Sequence, residues 1–98
     1  MSDPDAWPFG DPPNLATIST RPVMDGVSWI ALVSHDEVDE SWQFIGPEGP
    51  LQDQAMAVGL GCVFELDRSI AALADLPLGW QAWRDGPEEP WQRAPRED

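Results

Sequence analysis

Hydrophobic and polar positions alternate over short runs, and Gly- and Pro-containing breaks separate the runs. That spacing predicts strands joined by tight turns. Leu15-Ala16-Thr17-Ile18-Ser19-Thr20 mixes apolar and small polar residues and predicts a strand that ends before Pro22. Asp25-Gly26 is a tight-turn signal, and the apolar run Val27–Val33 after it predicts the next strand. Trp42-Gln43-Phe44-Ile45 predicts a third, stopped by Gly46-Pro47-Glu48-Gly49-Pro50, with Trp42 and Phe44 on its core side.

From Met56 to Leu66 every second position is apolar: Met56, Val58, Leu60, Cys62, Phe64 and Leu66. This is strand periodicity, and it predicts that Cys62 is a buried structural thiol. Residues 61–66 are equally readable as a helical turn. Ala57, Gly59 and Gly61 on the opposite side leave room for another segment to lie close. Asp67 or Ser69 can cap a helix through Ile70 to Ala74, and Gly79–Arg84 predicts a closing strand. The expected fold class is α+β: a small twisted antiparallel sheet with one or two short helices packed on one face.

The flanks differ in composition. Residues 1–14 hold four Pro, three Asp and one Gly and predict an extended arm, pinned to the domain by Trp7 and Phe9. Residues 87–98 predict a flexible acidic, Pro-rich tail anchored by Trp91. Residues 15–86 between them form a single domain, as expected for a chain of 98 residues.

Charge narrows the function classes. Eighteen acidic residues against five Arg and no Lys give a net charge of -13. Nucleic-acid affinity comes mainly from cations that neutralise phosphates, so this balance argues against a nucleic-acid partner. It argues equally against anionic membranes, and no apolar run is long enough to span a bilayer. Long-range attraction would favour a basic protein partner, although acidity also serves solubility alone. The single Cys62 and single His35 provide neither an intramolecular disulfide nor a zinc site. With the acidic start Met1-Ser2-Asp3-Pro4-Asp5 in place of a basic leader, they predict a cytoplasmic chain.

Candidate chemistry is sparse. His35 beside Asp36 has the composition of a general base, but no nucleophile or oxyanion site accompanies it in sequence, so a surface histidine is the preferred reading. A Cys62–His35 dyad is conceivable but conflicts with a buried thiol. The acidic segment Asp36, Glu37, Asp39 and Glu40 lacks the alternation and central Gly of a calcium loop, and Gly59-Leu60-Gly61 lacks the Lys and third Gly of a phosphate loop. No catalytic, cofactor or metal residue is therefore expected. The expected partner-binding residues are Asp36, Glu37, Asp39 and Glu40, by attraction of a basic surface, and Trp83. Trp80 and Trp83 face opposite sides of a strand, so one of them points outward, as an anchor or under Trp91 or the N-terminal arm.

Leu66-Asp67-Arg68-Ser69-Ile70, Leu73, and Asp75 through Asp85, with its Leu-Pro-x-Gly-x-x-Ala-x-Arg run, resemble the bacterial family classed as immunity protein 33. Ile18-Ser19-Thr20-Arg21 and Ser41-Trp42-Gln43-Phe44 resemble that family's opening strand and central motif. Arg68 stands where the family usually has Pro, and Ser41 where it usually has Gly. The resemblance covers Leu15 to Arg84 and implies a non-catalytic antidote of a polymorphic toxin system, with a toxin as protein partner. It carries over no functional residue. The alternative is a generic regulatory or structural binding domain of a bacterium. A third alternative, an enzyme, ranks last because no acid–base pair or ligand set is visible.

Overall fold

A computed structural model describes residues 7–38, 40–49 and 52–96. Six strands form one sheet: β1 (Ala16–Thr20), β2 (Leu32–His35), β3 (Trp42–Ile45), β4 (Ala55–Gly59), β5 (Trp80–Trp83) and β6 (Gln92–Pro95). Their order across the sheet is β4-β1-β3-β2-β5-β6. Helical segments are short: α1 (Arg21–Met24), α2 (Leu60–Leu66), and 3-10 turns at Gln52–Gln54 and Arg68–Leu73. The fold is α+β, but the sheet is mixed where an antiparallel one was expected. β1 and β3 run parallel, Ile18 beside Gln43. The cause is topological: β2 follows β1 in sequence, and the β2–β3 hairpin then folds β3 into the space between them. Hydrophobic spacing within a strand does not encode that insertion.

Three expected elements change shape. Val27–Val33 was expected to be one strand, yet β2 begins only at Leu32. Gly26 adopts φ 79°, and the Val27 and Ser28 amides both donate to the Pro22 carbonyl, so the first residues of that run close α1. Val27 is left 81% exposed. The alternating run from Met56 breaks at Gly59, and residues 60–66 form α2. A strand and a helix both bury Leu60 and Phe64, and they disagree at Cys62 and Val63 between them. The helix buries Val63 at i+3 and turns Cys62 to solvent, so the expected buried thiol is exposed. Finally, the segment expected as a flexible tail contributes β6, paired antiparallel with β5 from Trp80↔Pro95 to Trp83↔Gln92. Arg93 ties it down further, donating to Asp75 at 2.9 Å.

Other expectations agree with the fold. Trp42 and Phe44 are 1% and 0% exposed, stacked in the core with Val33, Leu60, Val63, Ile70 and Leu73. The N-terminal arm is pinned as read. Phe9 meets Trp42 and Phe64 edge-on at 5.5 and 6.4 Å, and the Trp42 indole donates to Asp11. Gly59 and Gly61 admit this arm: a side chain at Gly61 would come within 3.0 Å of Pro13, whose carbonyl accepts the Gly61 amide. Asp67 caps the 3-10 turn, accepting from the Ser69 amide. Residues 1–6 of the expected arm and 97–98 of the expected tail lie outside the described residues.

Candidate functional site

The acidic segment forms the β2–β3 hairpin tip. The Asp36 amide donates to the Ser41 carbonyl, the Asp36 carboxylate accepts from the Val38 amide, and Glu40 takes a left-handed φ of 60° to close the turn. Asp39 lies outside the described residues. No cation is near this segment in sequence, yet the fold supplies one. The Arg96 amide bonds the Gly79 carbonyl, and the Arg96 guanidinium stands 4.0 Å from Asp36. Asp36, Glu37, Val38, Gly79 and Arg96 line a recess of about 150 Å³. Gly79 is required there: its φ is 82°, and an added Cβ would lie 3.2 Å from the Glu37 carboxylate.

His35 is not the surface histidine expected. Its ring stacks on Trp42 at 3.9 Å, and Nδ1 lies 2.8 Å from the Leu76 carbonyl. A carbonyl only accepts, so Nδ1 carries the proton and the ring is fixed as a strut between β2 and the loop after the second 3-10 turn. Cys62 is exposed on α2 and makes no dyad with it. Among the described residues no group of three or more His, Cys, Asp or Glu is placed to hold a metal ion.

Sequence reading missed a buried ionic hub. The Arg84 side chain is 2% exposed and donates three ways: to the Ile30 carbonyl, to Ser69 Oγ, and at 2.6 Å to Asp67. The Trp91 ring covers its guanidinium at 4.2 Å. Burial pushes the Asp67 carboxyl up, but hydrogen bonds from Ser69 and Arg84 and the Arg84 charge outweigh it and hold its pKa below the ordinary value. The available signal was the presence of Asp67 and Arg84 themselves, since a charge at the end of a buried strand calls for a partner.

The two faces of the sheet differ sharply. Cross-strand partners point to the same side and alternate residues to opposite sides, so the register assigns each residue to a face. The Trp42 face also carries Phe44, Val33, Val58, Trp80 and Ala82 and packs against α2 and the second 3-10 turn. The other face carries Ala16, Ile18 and Thr20 of β1, Leu32 and Ser34 of β2, and Gln43 and Ile45 of β3. It continues with Ala55, Ala57 and Gly59 of β4, Gln81 and Trp83 of β5, and Gln92 and Ala94 of β6. None of these is charged, in a chain of net charge -13. Trp83 is half-buried beside Leu32, while Ala16, Ile18, Ala55 and Ala57 are exposed. Carboxylates stand at both ends of the strands: Asp36, Glu37 and Glu40 at the hairpin tip, and Glu48, Asp53, Asp85, Glu88 and Glu89 in the opposite connections. The fold thus brings Trp83 onto an uncharged surface and sets the acidic tip at its margin.

Compared with known proteins, the chain matches no family model, no curated protein and no solved structure at a significant level. No helix among the described residues is long and apolar enough to cross a membrane.

Proposed function

We propose that this chain is a non-catalytic, cytoplasmic protein-binding domain, and that its partner is a basic protein toxin it neutralises as an immunity protein. One observation carries the binding reading: an uncharged sheet face centred on Trp83 and Leu32, with carboxylates at both strand ends. An apolar centre inside a polar margin is the anatomy of a protein interface, and Trp is the residue most enriched among binding hot spots. The margin is acidic, so it steers basic partners and accelerates encounter. The immunity reading adds the motif resemblance over Leu15 to Arg84, and a basic toxin is the partner whose field this margin complements.

Co-expression with a basic protein toxin from the same bacterium tests the reading. The wild-type chain should restore growth, and Trp83→Asp should abolish protection while leaving the folded circular dichroism spectrum intact. A folded Trp83→Asp variant that protects fully moves the interface off this face. Absence of protection by the wild type removes the immunity reading.

A further inference from the structure

We infer that β4 is the pairing edge for a second copy of this chain, forming a two-fold dimer through one continuous antiparallel sheet. Among the described residues the outer strands of the sheet are β4 and β6. Natural edge strands are blunted by charge or proline, because their outward backbone groups template pairing. β6 is blunted in this way: it contains Arg93 and Pro95 and is flanked by Pro90 and Arg96. β4 reads Ala55-Met56-Ala57-Val58-Gly59, with no charge and no proline.

The hydrogen-bond phase identifies which groups β4 offers. The Leu60 amide donates to the Leu15 carbonyl, and the register sets Ala16 opposite Gly59. Bonded pairs alternate along an antiparallel ladder, so Met56 and Val58 bond inward to β1, and Ala55, Ala57 and Gly59 turn their amides and carbonyls outward. A two-fold axis through Ala57 sets Ala57 opposite its own copy and Ala55 opposite Gly59, with about six ladder bonds between the copies. The same register sets Met56 against Val58, an apolar pair on the core side of the sheet, and small residues on the open side. Asp53 falls opposite Gly61, so no carboxylate meets its like across the strands. In so acidic a chain, two copies approach closely only along a line free of carboxylates, and β4 is such a line.

This geometry and the long-range charge make opposite demands, and salt separates them. Two chains of -13 repel at distance. Screening shortens that repulsion from about 10 Å at 0.1 M to about 3 Å at 1 M, so self-pairing strengthens with salt, whereas capture of a basic strand on the same edge weakens. Sedimentation velocity of the full chain across concentration and salt, under reductant because Cys62 is exposed, is the test. Expected is a reversible dimer whose dissociation constant falls as salt rises, with slowed exchange of the Ala57 amide. Ala57→Lys sets two like charges opposite at the axis and should weaken dimerisation roughly tenfold or more, without changing the thermal midpoint. Gln92→Lys on the other edge should leave it unchanged. A chain that is monomeric at every concentration and salt overturns the inference. So does a dimer that survives Ala57→Lys or disappears with reductant.

Discussion

Trp42 and Trp83 stand in one sheet and face opposite ways. Trp42 is 1% exposed, sandwiched between His35 and Phe44 with Phe9 against its edge. Trp83 pairs with Leu32 and Gln92 on the other face, where Thr20, Ser34 and Ile45 are buried but Trp83 itself is only half-buried. The same side chain therefore serves folding in one place and is left available in the other. What differs is the company each strand keeps, and that company is assembled from α2, the second 3-10 turn and the N-terminal arm. The teaching is general for a small domain: one fully covered face is enough for a core, and a second face that is covered only in part leaves some of its residues available for other uses.

The comparison is broken most severely by Trp42→Ala, which should cost about 3–5 kcal/mol as for other fully buried aromatics. Against a total stability of about 5–15 kcal/mol, that is a large fraction, and chemical denaturation should show a strongly lowered midpoint. An unchanged denaturation midpoint would mean that the covered face is misassigned. Arg84→Ala comes next. It strands the Asp67 carboxylate and the Ile30 carbonyl, and should cost roughly 3 kcal/mol, at the lower end for a broken buried pair because Asp67 keeps 23% exposure.

The same pair gives a pH signature. Asp67 has a folded pKa below its ordinary 3.8, so its contribution is fully present above that value. It is lost as pH falls from about 3.8 through the depressed folded pKa. Thermal midpoints measured from pH 7 downward should therefore drop over that window, and Arg84→Met should flatten this part of the decline. An identical acid limb in the variant would remove Arg84 as the cause.

Smaller effects belong to the open side. Trp83→Ala should cost on the order of 1 kcal/mol, well below Trp42→Ala, while abolishing partner binding. Arg96→Ala, whose ion pair with Asp36 spans 4.0 Å at the surface, should change stability by about 0–1 kcal/mol. If urea midpoints ranked these two above Arg84→Ala, the distinction between a buried hub and a loose rim would collapse. Smallest of all is Cys62→Ser, about 0.5 kcal/mol or less, and a thiol-reactive dye should label Cys62 in the native protein within the time it labels the unfolded chain.

Legibility followed range. Strands β1, β3 and β5 were readable because their apolar alternation and bounding turns lie within a few residues. Leu60 to Leu66 was not, because periods of 2 and 3.6 share Leu60 and Phe64, and only packing of Val63 decides between them. β6 was hidden by Pro90 and Pro95 and by Arg93 and Arg96, which suppress strand propensity; pairing with β5 overrides it. On the site, Trp83 and the acidic tip were named from residue type, but their relation to an uncharged face was not, since a face is a property of six strands in register.

By itself the sequence determined the short-range matters: which residues are apolar enough to bury, where Gly and Pro must turn the chain, and a net charge that disfavours phosphate-bearing partners. These depend on neighbours a few positions away, or on a sum over all residues. Only the tertiary structure decided that β3 enters between β1 and β2, that Arg84 finds Asp67 and Arg96 approaches Asp36, and that every residue on one side of the sheet is uncharged. Each of these joins residues far apart in the chain. Their free energy is a balance between pairing and loop closure, and no local pattern records it.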